Sequence, residues 1–399
     1  MGFVVALEEM PSRAQLEAWW RALEVHADAG FFTTWTWIDA WLALLPPARQ
    51  PRLLVAREGQ NIVGLGLLTQ GQATVLKRIP VRCWHLHTTG DAELDSIAIE
   101  YNDFLVAREQ GVAIREAMLG RLLSMGGPAR FDVAKASTRF LALPAALRKR
   151  LIVRTTDITS YVVPLDDVRA AKSGYLSLLS ANTRSQVKRS MSAYQQLGAL
   201  TLDEAADLDT ALAFFQDMKR LHAHNWQQKG EETAFASLPA IARFHEALIA
   251  QALPRGEVKL MRVRAGDTLI GYLYGFVFRG HLLYYQSGFQ FGLVDKHDRP
   301  GLVCHALAVA HCAQGGLSHY DFGAGDYRYK TSLSTAHFMQ HTHVLQRRNL
   351  LAQADAWLRQ AQAAWRQRRG TPEVPAASAL PMVLALTTVL SQTSQDLPW

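Results

Sequence analysis

The chain has 399 residues, with a hydrophobic content of 49%, a charged content of 19% and a formal net charge of +7. These values exclude a disordered chain and set the expectation of two globular domains. Three cysteines, Cys83, Cys304 and Cys312, with no C-x-x-C spacing, offer neither a disulfide framework nor a zinc site, and they point to a reduced, cytoplasmic setting.

Arg13 to Leu23 has helical periodicity, with Leu16, Trp19, Trp20 and Leu23 on one face. A second helix carries Phe31, Trp35, Trp37, Trp41 and Leu45, aromatics spaced as core residues. Leu53 to Ala56 and Ile62 to Leu68 read as strands around a turn at Glu58-Gly59-Gln60, and Val81 to Leu86 as a further strand. Tyr101 to Val106 is strand-like, with a polar pair, Asn102 and Asp103, inside it. The pair is read either as facing a cleft or as hydrogen-bonded within its loop. A helix from Gly111 to Met125 and a short strand, Phe131 to Ala134, follow.

Ser173 to Leu197 is a connecting arm whose helix bears Arg184 and Lys188 at i,i+4, hence on one face. Leu200 to Glu204 is a strand, Leu208 to Trp226 and Ile241 to Leu253 are helices, and Val258 to Val263 is the next strand. His222 and His224 sit at i,i+2, which is a poor metal pair on a helix. Leu269 to Phe278 and His281 to Gly288 form a hairpin around Arg279-Gly280. A polar loop ending in Arg299-Pro300-Gly301 opens an apolar helix that runs to Gln314. Pro at a helix start lacks a donor only where donors are spare.

Leu317 to Lys330, LSHYDFGAGDYRYK, is the stretch with most chemistry. A short buried strand, His319 to Phe322, runs into Gly323, Gly325 and Asp326, and then Tyr327, Arg328, Tyr329 and Lys330 follow. A strand that ends in glycines and delivers ionisable groups is how α/β folds present a site. A plain turn, with Asp321 paired to Arg328 or Lys330, is the alternative reading. After it come a strand, Phe338 to Gln346, and a helix, Asn349 to Arg369, in a region holding six arginines against Asp355 alone. That helix has an apolar stripe, Leu350, Ala354, Trp357, Leu358, Ala361 and Trp365, expected to pack on the protein body rather than on a partner or membrane. Met1 to Leu7 is too short for a signal h-region, and the apolar run Pro381 to Leu390 is too short to span a bilayer, so no transmembrane segment is expected.

The order strand, hairpin, Pro-Gly loop, helix, Gly-Gly and D-F-G-x-G-x-x-x-Y-K resembles the GNAT acyltransferase superfamily. Within it, the CelD-like branch associated with cellulose and exopolysaccharide gene sets, related to Fem-type peptidyltransferases, is the nearest pattern. The resemblance implies an α/β tandem GNAT-like fold, two mixed β-sheets each flanked by helices. It divides the chain into a degenerate N-terminal unit (1–164), a connecting segment (165–198), an acyltransferase domain (199–346) and a basic helix with an apolar tail (347–399). The usual Q/R-x-x-G-x-G/A loop is missing, with only one glycine present.

The resemblance further implies N-acyl transfer from an acyl-CoA, acetyl-CoA in the simplest case, to an amino group on a sugar, sugar nucleotide or small amine, without a metal. Lys296, Arg299 and Gly301 would meet the donor's pyrophosphate at the helix start. Lys330 would stabilise developing negative charge, Asp321 would help deprotonate the amine, and Tyr329 would act as acid or hold the substrate. Tyr285, Gln286, Asp103 and Arg184 would contact the acceptor. Two alternatives stand beside this: a Fem-type transferase using aminoacyl-tRNA, which the basic arm and the basic C-terminal helix suit, and a non-catalytic accessory protein of a polysaccharide system. The oligomeric state is not legible.

Overall fold

The computed structural model describes residues 2–368 apart from 77, 126–128, 142 and 144. The expected apolar tail at Pro381 to Leu390 lies outside the described residues. The described residues divide into two units, one running to Ile158 and again from Met339 to Arg368, the other Thr159–Phe338. The sequence reading set these borders at 164 and 346. The difference lies in two long strands that cross them.

The first unit begins with β1 (Val4–Glu8), α1 (Arg13–His26), α2 (Trp35–Leu44), β2 (Arg52–Glu58), β3 (Asn61–Val75) and β4 (Ile79–Leu86). It continues with β5 (Leu105–Val106), α3 (Gly111–Ser124), β6 (Arg130–Ser137), α4 (Ala145–Arg148) and β7 (Leu151–Pro164), which runs on into the second unit. Strands β1 to β4 pair antiparallel in order, and β4 pairs parallel with β6. Ile114, Met118, Leu119 and Leu122 of α3 pack with Leu54, Ala56 and Leu86 of the sheet. Trp20, Trp35, Trp37 and Trp41 are fully buried, as their spacing predicts. Two strands escape the sequence reading. In β1 a five-residue edge is too short to show periodicity, and in β7 the polar run Arg154 to Asp157 breaks the alternation. Conversely, only Leu105 and Val106 of the expected Tyr101 to Val106 strand pair with β3.

The second unit continues with α5 (Leu165–Ala170), α6 (Ala181–Gln195), β8 (Leu200–Glu204), α7 (Leu208–Gln227), α8 (Ala234–Ser237), α9 (Pro239–Ala252) and β9 (Val258–Ala265). Then come β10 (Thr268–Phe278), β11 (His281–Phe289), α10 (Pro300–Gln314), β12 (His319–Ala324) and α11 (Arg328–Leu333). Its strand order is β7-β12-β11-β10-β9-β8, antiparallel except for the parallel pair β11 and β12. Alternation sorts the two faces. Leu273, Leu282, Tyr284, Tyr320 and Phe322 join α6 and α10 in one core, while Tyr274 and Tyr285 turn to His245 of α9. Gly288 is required on that second face, because a Cβ there would stand 2.3 Å from the Met218 carbonyl of α7.

The chain returns to the first unit through β13 (Ala336–Arg347), which pairs antiparallel with β6 over Gln340 to Gln346, and ends the described residues with α12 (Leu350–Arg368). The expectation for α12 fails. Ala352 and Asp355 face inward, whereas Leu350, Trp357 and Trp365 are 86%, 70% and 55% exposed. Asp355 anchors the helix by accepting from the Leu76 amide at 2.7 Å and from Arg359 at 2.8 Å. A hydrogen-bonded carboxylate has chosen the packed face over the apolar stripe.

Candidate active site

In the second unit, β11, α10 and β12 form a parallel crossover. Pairing runs only over His281 to Leu283 against His319 to Asp321 and then stops. Past that point Tyr285 is the extra residue of a bulge in β11, opposite Tyr274 and Gly275. The chain beyond Phe322 turns through Gly323 and Gly325, at φ 73° and 111°. The two strands therefore part at their carboxyl ends, where α/β folds hold ligands.

Side chains from four elements meet in this gap. His305 of α10 is 1% exposed. Its Nδ1 is 2.9 Å from the Tyr320 hydroxyl. The Tyr284 ring meets it edge-on at 4.6 Å, and the Tyr329 ring lies nearly parallel to it at 5.7 Å. Its Nε2 has no hydrogen-bond partner among the described residues. Tyr284 shares hydrogen bonds with Ser287, at 2.7 Å, and with Tyr329. Lys330 is 7% exposed and donates to the Ala324 carbonyl at 2.7 Å, with Tyr327's ring 5.5 Å from its Nζ. Burial, with the Lys330 charge as a smaller second cause, holds the His305 imidazole down at about 3. Burial likewise pushes Tyr284 up to about 12, against the pull of Ser287 and Tyr329. At neutral pH the gap therefore holds a neutral imidazole and a neutral phenol beside Lys330.

Lys330 and Tyr329 thus come together beside His305. Asp321 does not join them. Tyr320 and Phe322 face α10, so Asp321, one residue out of phase, faces the other side of the strand. There it is fully buried, accepts from the Gly323 amide at 2.7 Å and lies 3.1 Å from His281 Nε2. It holds the glycine turn. The alternative reading, a turn held by Asp321, is met through Gly323 and His281.

The loop before α10 is clamped by α6. Gln186 accepts from the Arg299 guanidinium, Ser190 donates to the His297 carbonyl at 2.7 Å, and Tyr194 donates to Asp298 at 2.5 Å. These three positions recur every four residues, one polar face of α6. Asp298 also accepts from the Gly292 amide at 2.6 Å, closing the loop on itself. Arg299 is the residue ahead of Pro300 at the helix start, and Lys296 is exposed. Gly301 has a more ordinary reason for being glycine than access for a phosphate: a Cβ would stand 3.2 Å from the Phe289 ring.

The four expected acceptor contacts scatter. Tyr285 points to His245, 3.3 Å from its Nε2, on the α9 side of the sheet. Gln286 accepts from the adjacent Ser287 amide at 3.0 Å. Arg184 donates to the Ser177 and Leu179 carbonyls and, with Lys188, lines a groove of about 500 Å³ along Tyr175 and the outer side of α10 at Ala306 and Ala310. Asp103 belongs to the first unit and is 5% exposed there. It takes a two-pronged bond from Arg115, at 2.9 and 2.8 Å, and a third from Ser137 at 2.7 Å. All three of these partners lie within the same unit, as the hydrogen-bonded reading of the Asn102-Asp103 pair expected.

His305, Tyr284, Ser287 and the Gln186-Ser190-Tyr194 face were not read from sequence. One signal was available, the two histidines, His305 and His311, inside the mostly apolar run Leu302 to Ala313. Among the described residues, Cys83, His85 and Asp132 are the one group with metal-ligating atoms close together, within 4.8 Å. Both Asp132 oxygens, however, accept from Arg130 at 2.6 Å.

Residues 181–331 match the family model described as the acetyltransferase (GNAT) domain. This stretch carries a GNAT-type acyltransferase domain. It opens at the first residue of α6 and ends in α11, so it spans the clamp, the gap and Lys330. Among solved structures, FemX is similar with a TM-score of 0.53 at 9% identity, covering 86% of this chain and 97% of that one. The C-terminal domain of a putative lysylphosphatidylglycerol synthetase from Agrobacterium fabrum gives 0.48 at 12%, covering 88% and 97%. A tandem GNAT protein from the clavulanic acid biosynthesis pathway gives 0.43 at 12%, covering 85% and 98%. At these identities the likeness to FemX speaks for the fold alone. No curated protein matches the sequence.

Proposed function

We propose that the second unit transfers an acyl group from an acyl-CoA, with acetyl-CoA as the simplest donor, to an amino group on a sugar, sugar nucleotide or small amine. The observation that carries this reading is Lys330, a buried ammonium at the parting of β11 and β12, with Tyr329 and Tyr284 hydrogen-bonded beside it. Attack of a neutral amine on a thioester carbonyl places negative charge on the carbonyl oxygen, and a buried ammonium stabilises such charge more strongly than one in water. Tyr329 is the group to protonate the departing thiolate, with Tyr284 and Ser287 behind it. The start of α10, with Arg299 held by Gln186 and with Lys296 nearby, suits the donor's pyrophosphate. Among the described residues no carboxylate faces the gap on this side of β12, and His305, held down at about 3, is too weak a base, so the amine's proton leaves through water. A cytoplasmic setting and a place in exopolysaccharide synthesis, as in the CelD-like branch, complete the reading.

A second reading has one observation in its favour. The groove lined by Arg184 and Lys188 offers two cations to a phosphate backbone, which suits an aminoacyl-tRNA donor. A thermal-shift screen of CoA thioesters and of charged tRNA, followed by thiol release across a panel of amines, separates the two. Stabilisation by tRNA with no response to any CoA thioester overturns the CoA reading. Stabilisation by CoA without turnover on any amine favours an accessory protein.

A further inference from the structure

An apolar stripe runs along the exposed side of α12, flanked by Gln353, Arg359 and Gln360. Leu350, Ala354, Trp357 and Ala361 follow one another at i, i+4, i+7 and i+11, and all four are exposed. Leu350 and Trp357 are the two most exposed large apolar residues of this helix, at 86% and 70%. Leaving such a stripe in water is unfavourable, and a contiguous exposed apolar face on a folded unit marks a docking surface.

What it docks on is set by its rim. The Arg348 amide donates to the Arg150 carbonyl at 2.9 Å, and the Arg348 guanidinium reaches the Leu151 carbonyl at 3.3 Å. These bonds hold the turn Arg148-Lys149-Arg150 against the start of α12, and all three of its side chains are exposed. Among the described residues no carboxylate pairs with any of them. Arg78 adds another exposed cation on the turn whose Leu76 amide is bound by Asp355. The acidic group of the helix, Asp355, is buried and neutralised by Arg359. A shallow groove of about 320 Å³ runs between β7 and α12, lined by Leu151, Val153, Arg348 and Trp357.

We propose that α12 and the Arg148-Lys149-Arg150 turn form a peripheral docking surface for an anionic lipid bilayer. Tryptophan and leucine on one face of a helix, with arginine and lysine beside them, are the elements of an interfacial helix lying in the plane of the headgroups. The aliphatic neighbours of Trp357 favour acyl chains over stacked bases. No helix among the described residues is long and apolar enough to cross a membrane, so the contact is peripheral. The proposal is independent of the acyl-transfer reading.

Co-sedimentation of the full chain with phosphatidylcholine vesicles, with and without phosphatidylglycerol, tests it. The chain is expected to bind only the anionic vesicles, with a blue shift of tryptophan emission. Arg148→Gln/Lys149→Gln/Arg150→Gln together should weaken binding by about 10²-fold, since each basic residue at an anionic surface contributes about fivefold. Leu350→Ser/Trp357→Ser should weaken it by about tenfold or more and abolish the shift. Melting curves of both variants confirm that they fold. Three results overturn the proposal. They are a wild-type chain that binds neither vesicle, vesicle binding unchanged in both variants, and binding to bulk tRNA, lost in the same variants, with none to vesicles.

Discussion

His305 and Tyr329 lie ring against ring, with planes 17° apart and centroids separated by 5.7 Å, one from α10 and the other from α11. That contact ties the helix following the donor loop to the segment that supplies Lys330. Burial keeps His305 neutral, so the stack places no second charge next to Lys330. The arrangement gives the lysine a rigid wall and leaves it as the cation of the gap.

Lys330→Met therefore tests two quantities at once. We expect acyl transfer to fall by about 10²-fold or more, comparable to removing one oxyanion donor. Stability should also fall, by about 1–3 kcal/mol, because the buried lysine's charged hydrogen bond to the Ala324 carbonyl is lost. A lysine read only as a catalytic group would be expected to leave stability nearly unchanged when replaced, and its 7% exposure is what brings stability into the test. Lys330→Arg should recover stability only in part, since a planar guanidinium does not fit a site built for an ammonium. Wild-type turnover in a folded Lys330→Met protein would make the lysine a structural residue.

The clamp on the donor loop yields a second expectation. Arg299→Ala and Lys296→Ala should each weaken CoA binding in calorimetry, Arg299→Ala by about 1.5–3 kcal/mol for the loss of a charged hydrogen bond. Tyr194→Phe removes only the hydroxyl that holds Asp298. It should weaken binding less, and through a loosened loop rather than a lost charge. If both charge variants bind CoA as the wild type does, the α10 start is a helix cap and nothing more.

Much of the second unit was legible because its elements obey simple periodicities. The hairpin around Arg279-Gly280, the α10 helix and the β12 strand all fall within a residue or two of expectation. Lys330 and Tyr329 were legible through a motif that names them. Asp321 was misplaced for a physical reason, since alternation along β12 sends it to the opposite face from Tyr320, and motif spacing carries no face. His305 was missed because its apolar run also carries His311, and sequence does not say which of the two is buried. In α12 the apolar stripe pointed one way and a single carboxylate, Asp355, decided the other. Tertiary hydrogen bonds from Leu76, far off in the chain, cannot be read from a helical wheel.

Asp103 separates structural from catalytic carboxylates. Asp103→Asn leaves the Arg115 guanidinium buried without its counter-charge, at 3% side-chain exposure. Breaking one partner of a buried pair costs about 3–5 kcal/mol. We expect chemical denaturation to show that loss, with turnover per folded molecule unchanged. A variant of wild-type stability and altered acceptor affinity would instead return Asp103 to the substrate.

The last expectation concerns acid. His245 and His305 are buried and held down at about 3, and His87, His222 and His343 at about 4, with desolvation the leading cause in each. An unfolded chain protonates the same groups near 6.5. Between these values the unfolded state binds more protons, so stability rises with pH across that window. The contribution is complete above about pH 6.5 and is lost progressively as pH falls towards the folded values. Each group adds a slope of about 1.4 kcal/mol per pH unit inside its window. Urea unfolding from pH 7 down to pH 4.5 should therefore show stability falling steeply, while the same measurement from pH 7 to 8 stays flat as far as these groups are concerned. His305→Gln keeps a polar side chain but cannot take up the proton, so it should lower the slope by about one histidine's worth whatever it does to the plateau. An unchanged slope in that variant would mean that His305 is open to water and titrates normally, and the neutral wall beside Lys330 would be lost with it.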